Sequence, residues 1–154
     1  MEIKRITKDE AGLVIDLFNK YRVFYKQPSN GILAKTFIEE RLGNNESVIF
    51  VCLDKKDDKE TPVGFTQLYP TYSSVRAVKN WILNDLYVES DYRKQGVGEK
   101  LIKKAMEFAK EEGAKFVELS TAVTNYTAQS LYEAIGFKKQ EPDNEFFTYR
   151  IALV

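Results

Sequence analysis

Hydrophobic positions change their period several times along the chain, and each change marks an element. Residues 2 to 6 carry a short alternating run that predicts a strand. Thr7 and Glu10 have the spacing of a capping box, ahead of Leu13, Val14, Leu17, Phe18 and Tyr21, an apolar stripe at helical spacing. A second helix is expected to start near Ser29 or Asn30, to turn Leu33, Phe37 and Ile38 inward, and to stop at Gly43. The period then falls to two. Ser47 to Asp54 and Pro62 to Tyr69 are rich in strand formers, and the charged run Lys55 to Glu60 between them reads as a solvated hairpin loop. Trp81 to Val88 is the next predicted strand.

Helical spacing returns with Val97, Leu101, Ile102, Ala105, Phe108 and Ala109 on one face, lysines and glutamates on the other, and Gly113 as the stop. Such a helix must lie on a sheet. Phe116 to Ala122 predicts a strand, and Thr124 or Asn125 can cap a short helix whose inward stripe is Ala128, Leu131 and Ile135, ended by Gly136. Phe146 to Leu153 is the last predicted strand. Hairpins interleaved with at least one β-α-β crossover imply an α/β (α+β) chain with a mixed, mostly antiparallel central sheet of about six to seven strands flanked by about four helices. A chain of 154 residues with 44% hydrophobic content has room for one core, so residues 1 to 154 are expected to form a single domain.

Between the strand at Trp81 and the helix at Val97 stands Arg93-Lys94-Gln95-Gly96-Val97-Gly98, an Arg-x-x-Gly-x-Gly turn. Gly96 and Gly98 free the backbone for positive φ and remove the Cβ atoms that would hold a ligand off the amides. The first N–H groups of the following helix lack intrahelical partners, and its macrodipole adds roughly half a positive charge there. Arg93 adds a whole one. The local chemistry calls for a phosphorylated ligand.

Composition narrows the classes. Lys plus Arg and Asp plus Glu both number 23, so no basic excess draws in nucleic acid. No run approaches the ~18 apolar residues of a membrane span, and the first residues contain no apolar leader, so a cytoplasmic location without a membrane partner is expected. The chain has no histidine, which excludes Ser-His-Asp and Cys-His nucleophilic systems and histidine-ligated zinc. The single cysteine, Cys52, lies in an apolar run and is expected in the core. No bound metal is expected. The chemistry must come from carboxylate, tyrosine, lysine or backbone. Among these, Asp85 is notable as a carboxylate in an otherwise apolar strand, where burial is expensive without a partner or a task. Glu89 and Glu118 are weaker candidates, because strand alternation can leave either on an outer face.

Taken together, the segment from Trp81 to Gly98, the amphipathic helix after it, Asn125, and Ala128-Gln-Ser-Leu-Tyr-Glu-Ala-Ile-Gly-Phe137 resemble the GCN5-related N-acetyltransferase (GNAT) superfamily across nearly the whole chain. The resemblance implies the acyl-CoA N-acyltransferase fold, with acetyl-CoA as co-substrate lying along a splayed strand edge. The backbone of Leu86, Tyr87 and Val88 would then take the pantetheine arm. The amides of Arg93, Lys94, Gln95, Gly96, Val97 and Gly98 would take the pyrophosphate. Asn125 would hold the chain near the pantetheine, and Tyr132 would reach the thioester sulfur. A tyrosine, near pKa 10, can protonate a thiolate leaving group whose conjugate acid lies near 8.5, which makes Tyr132 the expected general acid.

Asp85 is expected to bind the cationic amine or to accept its proton through water. Phe65 to Ser74 with Leu83 to Val88 is similar to the diamine and polyamine acetyltransferase branch, although Asn84-Asp85 stands where that branch usually shows an acidic pair. Tyr25, Tyr69, Tyr72 and Asn84 are candidate substrate contacts, the tyrosines by cation–π packing on an ammonium. The expected partner is a small-molecule amine, and a homodimer is expected from the aromatic C-terminal strand as a pairing edge. A non-catalytic CoA-binding module and a protein or peptide N-acetyltransferase stay open as alternatives.

Overall fold

The computed structural model describes residues 1–153. The chain divides into two compact units, one ending at Ser120 and one beginning at Thr121. In the first, β1 (Glu2–Arg5) is followed by a 3-10 segment (Lys8–Leu13), α1 (Ile15–Phe24), α2 (Gly31–Gly43), β2 (Val48–Lys56), β3 (Lys59–Ser73), β4 (Val78–Val88), a short 3-10 turn (Ser90–Tyr92), α3 (Val97–Glu111) and β5 (Val117–Glu118). The second contains α4 (Tyr126–Ile135). The sheet runs in the order β1-β2-β3-β4-β5, antiparallel up to β4 and parallel between β4 and β5. The fold class is the expected one, with five strands among the described residues where six or seven were expected.

Local chemistry explains most element boundaries. The Thr7–Glu10 capping box forms, with the Thr7 N–H donating to Glu10 Oε1 at 3.1 Å. It opens a 3-10 segment, and regular α-helix begins only after Gly12, the poorest helix former in the stretch. Asn30 caps α2 by accepting from the Leu33 N–H at 3.0 Å. The charged run after Asp54 corrects the loop reading. Only Asp57 and Asp58 turn, both at positive φ, while the flanking lysines and Glu60 extend β2 and β3 as exposed strand residues.

The sheet has two covered faces. Ile49, Val51, Leu53 and Phe65 pack against Ala11, Val14, Leu17, Phe18, Ala34 and Ile38 of the α1/α2 layer. On the other face Phe108 of α3 meets Phe50 and Trp81 edge-on, at ring distances of 5.8 and 5.0 Å. Cys52 is buried as expected. Gly64 lets α3 approach: a Cβ there would stand 3.0 Å from the Tyr87 carbonyl oxygen and 3.2 Å from Val97 Cγ1.

One irregularity sets up the site. Gln67 faces Asp85 while Leu68 faces Leu83, so Asn84 is an extra residue in β4, a β-bulge. The bulge shifts side-chain parity and turns Asp85 onto the Gln67, Phe65 and Tyr69 face under α1. Beyond it β4 pairs only with β3, and its contact with β5 is confined to Trp81–Val117 and Ile82–Glu118. The strand expected over residues 116 to 122 is therefore two residues long.

In the second unit Asn125 caps α4 by accepting from the Ala128 N–H at 3.1 Å, and Gly136 ends it at positive φ. Ala128, Leu131 and Ile135 are half-buried instead of forming a buried stripe. Residues 146 to 153 form no strand, and Phe147, Tyr149, Ile151 and Leu153 are exposed. Their apolar alternation suits a strand, but among the described residues no partner strand pairs with them, and an unpaired strand is not stable alone. The pairing edge expected for a dimer is absent there. Val154 lies outside the described residues.

Candidate functional site

Three elements, α1, β3 and β4, converge on Asp85. It is 2% exposed, and each oxygen receives a donor: Gln67 Nε2 on Oδ2 and Asn84 Nδ2 on Oδ1, the latter at 2.8 Å. Thr66 Oγ1 donates to the Asp85 carbonyl oxygen at 2.8 Å, which fastens β3 to β4 beside the bulge. From α1, the Tyr21 hydroxyl donates to the Asn84 carbonyl oxygen at 3.2 Å. Desolvation pushes the Asp85 carboxyl above its ordinary value, against the opposing pull of Asn84, Gln67 and Tyr21. The phenols of Tyr21 and Tyr69 are pushed well up, first by burial and then by the Asp85 charge.

Aromatic rings wall this carboxyl. Tyr21 stacks near Phe18 and meets Phe65 edge-on at 5.9 Å, and its ring lies 5.0 Å from Tyr25, which is 55% exposed at the end of α1. Tyr69 sits on the Gln67 face of β3 and Asn84 is exposed in the bulge. Tyr69, Asn84 and Asp85 are thus neighbours along β3 and β4, and Tyr25 is joined to them through the Tyr21 ring. Tyr72 is not among them: it is 71% exposed near the far end of β3, with Lys79 Nζ over its ring at 5.8 Å. The weaker carboxylates lie elsewhere. Glu89 pairs with Lys20 at 2.8 Å in a cleft of about 420 Å³ also lined by Asp16 and Tyr92, and Glu118 is exposed on β5.

Beyond the bulge, Leu86, Tyr87 and Val88 are half-buried, and the edge of β4 away from β3 has no strand partner from Leu83 onward among the described residues. That edge is the one an extended ligand could pair with. Arg93 folds back over it: Nε donates to the Val88 carbonyl at 2.9 Å, and the guanidinium lies 5.7 Å from the Tyr87 ring and 5.9 Å from the Phe24 ring. The Val88 carbonyl is therefore already an acceptor for Arg93.

The turn into α3 departs from the sequence reading in one respect. Positive φ falls on Lys94 and Gly96, while Gly98 is inside the first helical turn. Gln95 Nε2 donates to the Asp91 carbonyl at 3.0 Å, which braces the turn. Val97 is 2% exposed and anchors α3 to β3, so only its backbone can serve a ligand. The first intrahelical bond into Gly96 comes from the Lys100 N–H at 3.1 Å, leaving the amides of Val97, Gly98 and Glu99 ahead of it as free donors for an anion.

In the second unit the Asn125 side-chain oxygen is used in capping α4, so Nδ2 is the atom it has left to offer a ligand. Tyr132 is half-buried, with its ring 6.1 Å from Phe137. Sequence reasoning missed two residues of the Asp85 cluster, Gln67 and Tyr21. The signal for Gln67 was present: an amide between Phe65 and Tyr69 at core-facing parity is as anomalous as the aspartate opposite it.

No helix among the described residues is long and apolar enough to cross a membrane, and no group of three or more acidic or cysteine side chains there could hold a metal. Comparison with known proteins agrees with the geometry. Residues 14–137 match the acetyltransferase (GNAT) family. The chain is 40% identical over 149 residues to the "Uncharacterized N-acetyltransferase YhfO" of Bacillus subtilis (strain 168), covering 97% of this chain and 95% of that protein. The crystal structure of a probable acetyltransferase superposes with a TM-score of 0.87 at 39% identity, over 100% of this chain and 99% of the other. The aminoglycoside N-acetyltransferase AAC(6')-Iy, solved in complex with CoA, shares the fold with a TM-score of 0.75 at 18% identity, over 97% and 95% of the two chains.

Proposed function

The chain belongs to the acetyltransferase (GNAT) family and is an acyltransferase, and from that premise we propose that it moves acetyl from acetyl-CoA to a primary amine of a small molecule, with Asp85 receiving the amine. The observation that carries this reading is the buried Asp85 carboxyl, set by the Asn84 bulge beneath an aromatic wall. A carboxyl in that setting has its proton affinity raised toward that of an amine acceptor, which suits it to taking a proton from an ammonium.

The steps balance without a metal or a covalent enzyme intermediate. The ammonium gives one proton to Asp85 and becomes a free amine. Its nitrogen forms a C–N bond with the thioester carbonyl carbon, the C–S bond breaks, and the leaving thiolate takes a proton from the Tyr132 phenol. The nitrogen gives up its second proton, which restores the phenol through solvent, and Asp85 releases the first to solvent as the net proton of the reaction. In this reading acetyl-CoA pairs with the open edge of β4 at Leu86 to Val88. The α3 amides and Arg93 hold its pyrophosphate, and Asn125 Nδ2 holds the pantetheine. Support for that placement comes from the unpartnered edge, the free amides and the family's use of CoA.

Tyr132→Phe separates an enzyme from a CoA-binding module. Turnover is expected to fall at least tenfold while CoA affinity by calorimetry stays within about twofold. Turnover surviving within about threefold would remove Tyr132 from the role of general acid.

A further inference from the structure

Donors and acceptors do not balance on the sheet face beneath α1. Gln67 is fully buried, and its Nε2 is spent on Asp85. The other end of the same amide, Oε1, is buried with no hydrogen-bond partner among the described residues. Packing does not ask for an amide at this position, because a methionine would fill the same volume between Phe65 and Tyr69 without burying an unpartnered acceptor of its own. The bulge at Asn84 is what brings Asp85 to this amide, since an unbulged β4 would turn it to the α3 face. A carboxylate already supplied with donors thus stands beside a carbonyl oxygen that has none.

Two acceptors of that kind suit one chemical group. A primary ammonium carries a charge and three N–H bonds, enough to pair with the carboxylate and the amide oxygen together. We propose that Gln67 and Asp85 form one recognition unit for a primary ammonium, Gln67 Nε2 fixing the carboxylate and Gln67 Oε1 accepting an N–H from the substrate. The exposed Asn84, which donates to Asp85 Oδ1, borders this unit on its solvent side. Gln67 is then a specificity-determining residue: it selects for N–H groups, where the aspartate alone selects for charge. The inference rests on Asp85 receiving the acceptor amine. The Gln67 amide bears on the Tyr69 phenol as a donor, and that phenol, if it turned its O–H to Oε1, would be the group competing with an ammonium there.

The test needs no knowledge of the natural substrate. The carboxyl carbon of Asp85, assigned with Asp85→Asn, and the side-chain carbonyl carbon of Gln67 are followed by 13C NMR in methylammonium chloride and in tetramethylammonium chloride at equal ionic strength. Methylammonium is expected to lower the Asp85 titration midpoint by about half a unit or more and to move the Gln67 carbonyl, whereas tetramethylammonium, charged but without N–H, does neither. In Gln67→Met the Asp85 midpoint is expected to rise, because a donor to the carboxylate is lost, and the advantage of methylammonium to shrink at least twofold.

If methylammonium moves Asp85 but Gln67→Met responds as the parent protein does, the role of Gln67 falls and the Asp85 reading stands. If neither cation moves Asp85, both fall. A Gln67 carbonyl indifferent to methylammonium would mean that Tyr69 satisfies Oε1, which also overturns the proposal. Should Gln67→Met fail to fold, the two cations on the parent protein still decide through the Gln67 resonance.

Discussion

A single buried carboxyl makes stability and activity respond to pH in opposite directions. Burial holds Asp85 above the ordinary carboxylate value, which in the unfolded chain is about 3.9. Between those two values the folded chain keeps a proton that the unfolded chain has released, so stability falls as pH rises through the window, and the penalty is complete above the folded value. Each unit of displacement costs about 1.4 kcal/mol. Asp85→Asn removes the titration, so its melting temperature relative to the parent is expected to climb as pH rises from about 4 to 8. A difference that stays flat with pH would show that Asp85 is not displaced. Activity runs the other way. An amine-receiving Asp85 must be a carboxylate, so kcat/KM should fall on the acid side with a midpoint above the ordinary carboxylate range, and Asp85→Asn should lose about a hundredfold.

Elements, not side chains, position the ligand-facing groups, and two glycines test this. Gly64→Ala places a Cβ against the Tyr87 carbonyl, Val97 and Leu101, and overpacking of that kind should cost about 1–3 kcal/mol in chemical denaturation. Gly96 sits at φ +81 before α3, in open space, so Gly96→Val acts through backbone strain of about 1–3 kcal/mol. It should weaken CoA binding at least tenfold by calorimetry, and unchanged affinity would move the pyrophosphate away from this turn. The same elements mark how far the sequence could be read. Asn30, Asn125, Gly113 and Gly136 announced helix ends because capping is local chemistry, and Asp85 announced itself because a carboxylate in an apolar strand needs a reason. The Asn84 bulge was illegible, since it depends on how β4 registers against β3, and Gln67 was passed over with it. The two-residue length of β5 follows from the same non-local geometry. So does the irregular course of residues 146 to 153, whose alternation promised a strand without a partner.

At the scale of the whole molecule, residues 121–153 contain no buried side chain, and a segment of that size cannot maintain a core by itself. A single-domain protein is expected to unfold in one calorimetric transition, and two resolved transitions would assign the two units separate stabilities. The claim on which everything else depends is acetyl transfer to a primary amine received at Asp85. Its most direct test is release of free CoA from acetyl-CoA, read with a thiol reagent across diamines, polyamines, aminoglycosides, amino acids and short peptides, for the parent protein and Asp85→Asn. Turnover is expected on a class of primary amines, reduced about a hundredfold in the variant while CoA affinity is kept. Turnover that Asp85→Asn leaves intact would contradict that claim.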